Sequence, residues 1–381
     1  MSGAATLLEC FADLPDPRVE RTRKHRLLDI LVIALCAVLC GAEGWDDIVE
    51  FAQAKRDWLQ ERLELPSGIP CADTFRRVFA RLQPEAFQTC FLTWIQAVQA
   101  TTRKVRADKH IAVDGKSLRH SFDTAAEQTA IHLVSAWASH LRLVLGQVQV
   151  ADKSNEITAV PALLALLDLN GCIVTADAMS CQKAIAKQII GQGGHYLLSL
   201  KGNQDSLYED VGLLFAYAKQ HGFQDLPHQV AKSVDKGHGR IETRCVFAVD
   251  LDKLEGRWQD VQAEWAGLSS LVMVERHTKL TTKTRTETAY YISSLPGNAA
   301  RLARAIRGHW GIENKVHWVL DAVFDEDACR IRKDNAPQNF AVLRHIALNL
   351  LRQEKTHQRG IKAKQKRAGW DNDYLTQLLT N

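Results

Sequence analysis

The chain has 381 residues, 46% of them apolar and 24% charged, as in an ordinary globular protein with room for two or three domains and a sizeable core. A net charge of +4 is too small to name a partner, and nine cysteines without CxxC pairs or His-x3-His partners argue against a zinc module or disulfide framework and fit reduced cytoplasmic thiols. The apolar run Leu27–Ala42 is broken by Asp29 and, at about 16 residues, falls short of the roughly 20 that span a bilayer, so a buried helix is expected, with no signal peptide before it and no membrane partner.

Residues 1–100 carry helical periodicity throughout, at Leu27–Ala42, Trp45–Leu65, Ala72–Leu82 and Pro84–Ala100, with a sharp turn at Leu65–Pro70. The helix after that turn, capped by Ser67 or Asp73, presents Arg76, Arg77 and Arg81. It suits the recognition element of a helix-turn-helix, or equally the charged outer face of a bundle. Upstream, Arg21, Arg23, Lys24 and Arg26 form a compact basic patch suited to phosphates.

Beyond a polar, basic linker at Thr101–Asp108 the pattern changes. Three strand-like segments (HIAVDGKSLR, IHLVSAWASH, LRLVLGQVQV) are followed by alternating helix and strand: Ile157–Leu169, CIVTADAM, Gln182–Gln192, His195–Lys201 and Gln204–Gln220. That order predicts a mixed α/β domain. From His228 to Leu295 the pattern is β again, which reads as a β-rich insertion between two parts of one domain, and helices resume from Asn298 to Leu350. GHGRIETR (Gly237–Arg244) predicts a hairpin whose tip, with Arg240, either contacts DNA or is a solvated turn. Lys355–Arg367 is strongly basic and reads as a tail that is mobile or touches nucleic acid.

Two acids follow apolar runs: Asp114 after Ile111–Val113, within the first strand of the α/β domain, and Asp177 at the end of Cys172–Ala176. Rigid strand ends that carry carboxylates suit Mg²⁺ or Mn²⁺, which prefer oxygen ligands, although either acid alone is equally a strand-end cap. Arg304–Phe324 predicts one helix. At 100° per residue its Ile306, Trp310, Glu313, His317, Leu320 and Phe324 fall within about 80° of arc, which places Glu313 on a core-facing seam. A carboxylate there needs a cation, a metal or a proton, and a structural ion pair is the plain alternative to a third metal ligand. The four-residue spacing of His309, Glu313, His317 and Asp321 also admits a zinc stripe, disfavoured by the flanking tryptophans and the strand acids.

The blocks VDGKSLR, TADAMSCQK, SLKGNQ, GHGRIETR, HWGIENKVHWVLDAVFDEDACRIRKDNAPQNFAVLRHIALNLL and KRAGWDNDYL together resemble the H-repeat-associated group of insertion-sequence transposases. LPDPR…KHRLLDILVIALCAVLCG…IPCADTFRRVF resembles that group's associated helical domain. The resemblance covers nearly the whole chain. It implies a DDE transposase: an all-α N-terminal domain (1–100), a ribonuclease-H-like α/β catalytic core (108–350) with a β-rich insertion at about 221–296, and a basic tail (351–381). It further implies an acidic triad of Asp114, Asp177 and Glu313 holding Mg²⁺ or Mn²⁺, double-stranded DNA as partner, and a dimer on paired element ends.

The match departs from related DDE transposases at their Tyr-xx-Arg-xxx-Glu-xxxxxx-Lys signature, where this chain has Ile306, His309 and Leu320. His309 can still meet a phosphate, and Arg307, Lys315 or Arg330 are candidates for the missing cations. By family analogy Lys201, Asn203 and Gln204 contact the substrate strand; on sequence alone they are a helix cap. A DNA-binding descendant without activity, and a metal nuclease without strand transfer, are the alternatives.

Overall fold

The computed structural model describes residues 7–101, 108–122, 129–150, 156–237, 239–280 and 283–380. The first of these segments holds six helices: α1 (Leu7–Ala12), α2 (Leu27–Leu39), α3 (Trp45–Ala54), α4 (Arg56–Gln60), α5 (Ala72–Arg81) and α6 (Pro84–Thr101). Trp45–Leu65, expected as one helix, is thus split at Lys55. Every residue of α2 but Leu28 is buried, and among the described residues no helix is long and apolar enough to cross a membrane. Asp29 survives in this apolar setting because its Oδ2 accepts the Leu65 N–H at 3.1 Å, where the chain turns through a left-handed residue (φ 42°).

A nine-stranded sheet follows: β1 (Lys109–Ser117), β2 (His132–Ala138), β3 (Leu143–Gln149), β4 (Cys172–Ala176), β5 (His195–Leu200), β6 (Gln229–Gly237), β7 (Arg240–Asp250), β8 (Ser270–Lys279) and β9 (Thr284–Ser293). Between strands lie α7 (Glu156–Ala165), α8 (Lys183–Gly191), α9 (Asp205–Gln220) and α10 (Arg257–Glu264). The spatial order is β3-β2-β1-β4-β5-β9-β8-β7-β6. Only β1–β4 and β4–β5 pair in parallel. The expected β-rich insertion does supply the last four strands. They form no separate layer, since β9 pairs antiparallel with β5, Leu198 opposite Ile292, and continues the same sheet.

Across the sheet run α11 (Ala299–Ile312), a π turn (Glu313–His317) and α12 (Trp318–Phe324). α11 packs on β1 most of all, and also on β7, β6 and β4. The approach is close at Gly308, where an added Cβ would lie 2.8 Å from His110 Nδ1. α13 (Ala336–Gln353) is buried along most of its length and touches α2, α5, α6 and β3. One hydrophobic core therefore runs from the first helices through the sheet.

Residues 355–367, read as a basic tail that is mobile or touches nucleic acid, belong to a packed C-terminal segment. α14 (Ile361–Trp370) and α15 (Asn372–Thr380) pack against each other, against α13 and, through α14, against α2. Lys364 is buried, its Nζ 3.1 Å from Glu354 and donating to Leu351 O at 2.8 Å. Glu354 also accepts from Tyr374 Oη at 2.9 Å. A run of like charges on paper is here partly spent on a buried carboxylate.

Candidate active site

Val113 on β1 is the register partner of Ala176 on the parallel neighbour β4. The next residues are Asp114, still within β1 and paired with Ser135 of β2, and Asp177, just past the end of β4, so the two acids are neighbours where the β1–β4 pairing stops. Asp114 is 19% exposed. Burial, with the charges of Asp177, Glu156 and Glu313, pushes its carboxyl up to about 7 against a hydrogen bond from the Gly115 N–H that favours the ion. Gly115 has no room for a side chain, because a Cβ would collide with the Glu156 carboxylate and the His132 ring. Those two are joined, His132 Nε2 to Glu156 Oε1, at 2.7 Å.

Asp177 Oδ1 accepts the Ser180 N–H at 3.2 Å. The loop beyond it is tied to the end of β5, where Asn203 Nδ2 donates to Ala178 O (2.6 Å) and Gln204 Nε2 to Cys181 O (3.0 Å). Asn203 and Gln204, expected to contact substrate, thus hold the Asp177 loop in place, while Lys201 beside them is exposed. His309 is likewise engaged. Its Nδ1 meets Thr175 Oγ1 at 3.0 Å, Thr175 meets His110 Nε2 at 2.9 Å, and His110 Nδ1 meets Ser139 Oγ at 2.9 Å. Burial lowers the His309 pKa. Through Nδ1 it is a polar tie between helix and sheet.

Glu313 is not on a core seam. It is exposed, as is Trp310 (46%), whereas Ile312, Val316, Val319 and Leu320 are buried. The π turn admits one extra residue and swings the following face by about 100°, so a strict helical period misassigns the residues around it. Among the described residues the Glu313 side chain has no hydrogen bond or ion pair. Also among them, no three His, Cys, Asp or Glu side chains lie close enough together to hold an ion as they stand. That disposes of the zinc stripe: His309 binds Thr175 and Asp321 pairs with Lys116. The set Asp114, Asp177, Glu313 falls short too, and its one unrestrained member is Glu313.

A buried charge network that sequence reasoning missed flanks Asp114. Lys116, two residues along β1 on the same face, pairs with Asp321, with Glu326 (2.7 Å) and with Asp327 (3.6 Å). Glu326 is 3% exposed and also lies 3.9 Å from Arg344. Its carboxyl is held below the usual range by Lys116 and Arg344, which outweigh its burial. His317 Nδ1 lies 3.5 Å from Asp114 Oδ2. Burial, then the Lys116 charge, depresses that imidazole to about 4, so it faces Asp114 as a neutral ring. The i, i+2 spacing of Asp114 and Lys116 was the signal available in the sequence.

Arg18, Lys24, Arg76, Arg77 and Arg81 of the helical region line a cavity of about 730 Å³ together with Lys333, whereas Arg21, Arg23 and Arg26 do not line it. Lys24, Arg76 and Arg77 are exposed. Arg18 shapes the adjoining loop through Asp16 (2.8 Å) and His25 O (2.7 Å). Arg23 donates to Arg18 O at 2.9 Å, Arg26 pairs with Glu64, and Arg76 pairs with Asp73. Arg21 is exposed. Arg240 does not line this cavity and stands at the exposed β6–β7 turn on the sheet's outer edge.

Strand-end acids of this order, on a mixed sheet crossed by an acid-bearing helix, suit phosphodiester chemistry, and the comparisons agree. The family model for the transposase DDE domain matches residues 106–350, and the DDE_Tnp_1-associated model matches residues 8–95. The chain belongs to the DDE transposase family. It is 39% identical to the "H repeat-associated putative transposase YhhI" of Escherichia coli (strain K12), over 98% of this chain and 97% of that one. It is 38% identical to the "Putative transposase YncI" of Escherichia coli O157:H7, over 99% and 95%. Within the family it is an insertion-sequence DNA transposase of the H-repeat-associated group, and the family generally uses divalent metal ions. Among solved structures, a piggyBac transposase synaptic complex with hairpin DNA aligns over 98% of this chain and 76% of that chain, at 10% identity and a TM-score of 0.42, a likeness too slight to inform the site.

Proposed function

We propose that Asp114, Asp177 and Glu313 are the catalytic acids of a ribonuclease-H-like core and hold Mg²⁺, with Mn²⁺ as substitute. The observation that carries this reading is that Asp114 on β1 and Asp177 at the end of the parallel strand β4 are neighbours, with burial and then repulsion raising the Asp114 pKa. The donor set consists of carboxylate oxygens, which suits a hard divalent cation and not zinc. When bound, such an ion supplies a Lewis acid for a phosphodiester oxygen and a more acidic bound water.

The chain's own residues fix the geometry. β1 and β4 hold two acids rigidly, the Asn203 and Gln204 ties fix the loop after Asp177, and Glu313 closes from the π turn. Water cleaves a phosphodiester at each element end, and the freed 3′ hydroxyl attacks target DNA. Arg21, Arg23, Lys24, Arg26, Arg76 and Arg77 draw double-stranded DNA to the helical region by their charge. Lys201 and Arg240 are further contacts on the catalytic side. Domains at 1–100 and 108–350, a dimer on paired ends and a cytoplasmic, nucleoid-associated location complete the proposal.

Cleavage and paired-end joining by wild type, Asp114→Asn, Asp177→Asn and Glu313→Gln test it. Loss of both activities in all three variants with DNA binding retained supports the reading. Cutting without joining identifies a plain nuclease, and binding alone by the wild type identifies an inactive descendant.

A further inference from the structure

A second cleft, about 760 Å³ in volume, lies between the β2–β3 turn and the end of α13. Its lysines and arginines are Arg142, Arg352, Lys355, Arg359 and Lys364; Lys364 is paired with Glu354, and the other four have no ion pair among the described residues. The one carboxylate lining it is Glu354, which is buried and already taken by Lys364, Tyr374, Thr356 and the His357 N–H. Arg352 is stacked on Trp137, its Cζ 4.4 Å from the ring, and its Nη1 is buried without a hydrogen-bond partner. Its place in the last turn of α13 gives it the favourable end of the helix dipole, yet leaves that donor unused. Arg142 is held at the turn in a left-handed conformation (φ 59°), a cost for a non-glycine residue.

Burial and the Arg142 charge pull the Arg352 guanidinium down to about 9. Like charges therefore crowd together with no anion between them, an arrangement that costs stability until one arrives.

Trp137 connects this cleft to the acids. It pairs with Ala112 while Asp114 pairs with Ser135, a separation of about 7 Å along β2. A Cβ on Gly311, two residues before Glu313, would lie 3.2 Å from Trp137 Nε1. The acids and the Arg352 side of the cleft thus flank one stretch of β2 and its buried indole.

We propose that Arg142 and Arg352 bind a phosphate of the DNA strand whose neighbouring phosphodiester is cut. This rests on the catalytic reading above. It also supplies cations that the Ile306, His309 and Leu320 positions do not.

The full-length protein is tested as Arg352→Met, which keeps the stem on Trp137, and as Arg142→Gln at an exposed site. The probes are a random-sequence duplex, titrated with salt, and inorganic phosphate, read by thermal melting. The expected result is a weaker duplex affinity in both variants, with the slope of log affinity against log salt shallower by about 0.9 for each phosphate no longer neutralised. Arg352→Met should melt no lower than wild type in phosphate-free buffer, since a buried unpaired charge is gone. Unchanged affinity and slope in both variants overturn the proposal. So does phosphate that stabilises wild type but not Arg352→Met while duplex binding is unaltered, because the cleft then takes free phosphate. A lower melting temperature for Arg352→Met with normal duplex binding makes Arg352 structural and overturns it as well. Failure of the catalytic reading is seen separately, as cutting that persists in Asp114→Asn while these binding results stand.

Discussion

Asp114 and Glu313 carry the same chemical group under opposite constraints. Asp114 sits on a strand hydrogen-bonded on both sides, largely covered and crowded by other acids. Glu313 stands exposed on a π turn with no partner among the described residues. The strand acid bears the cost of burial, and the turn acid keeps its freedom. A site built from one of each is rigid where the substrate must be aligned and adjustable where it must be closed. π turns inside α-helices often occur at functional positions for that reason.

The largest test of this contrast is a pair of substitutions. Asp114→Asn and Glu313→Gln should both lower DNA cleavage by orders of magnitude, yet differ in stability. Asp114→Asn should melt higher than wild type at pH 8 without metal, because a buried charge is removed. Glu313→Gln should stay within about 0.5 kcal/mol of wild type, as an exposed residue without partners does. Added Mg²⁺ should raise the melting temperature of wild type more than that of either variant, by mass action on the folded state. Equal destabilisation of the two would erase the distinction.

A second test removes the support beside Asp114. Lys116→Met leaves Glu326 buried with its closest cation gone and should cost about 3–5 kcal/mol in urea unfolding. A loss below about 1 kcal/mol would mean that Arg344 suffices.

The third uses pH. The Asp114 carboxyl titrates near 7 in the folded chain and near 3.9 when unfolded. The folded state therefore binds the extra proton between those values, so this contribution to stability is fully present below the unfolded pKa and is lost as pH rises through the folded one. In the presence of a chelator, stability should decline between about pH 4 and pH 7 by up to a few kcal/mol. Asp114→Asn should lack that component.

The smallest effect concerns the loop after Asp177. Asn203→Ala removes one hydrogen bond to Ala178 O and should cost about 1 kcal/mol, with cleavage reduced more than DNA affinity. An equal loss in both would favour direct contact between Asn203 and the substrate.

Much of this was legible in the sequence. The runs Ile111–Val113 and Cys172–Ala176 announce buried strands, and the acid directly after each lies where the pairing of β1 with β4 ends. The helices around α2 and α5 follow from apolar spacing, with ends within a few residues. Glu313 stands out through its company rather than its spacing, because no local rule places a π turn at ENKVH. The ties of His309 to Thr175 and of Asn203 to Ala178 O join partners remote in sequence, which no local pattern shows. The pairing of β5 with β9 is equally non-local, so the β-rich segment could be read as strands but not as an extension of one sheet.

The packing of α14 against α2 has a consequence for how the molecule is made. Gln365 Nε2 lies 3.4 Å from Val38 O, 327 residues apart in sequence, and Ala368, Tyr374, Leu375 and Leu378 join the core to which α2 belongs. A chain emerging from the ribosome carries the apolar α2 helix for almost the whole of synthesis before its cover exists. Long-range closure of this kind is slow and leaves apolar surface open to aggregation in the interval. A frameshift or stop codon shortly before residue 361 would therefore spare every proposed catalytic acid and still leave α2 partly uncovered. In a mobile gene that accumulates such lesions, activity can be lost through folding well before any change reaches the acids.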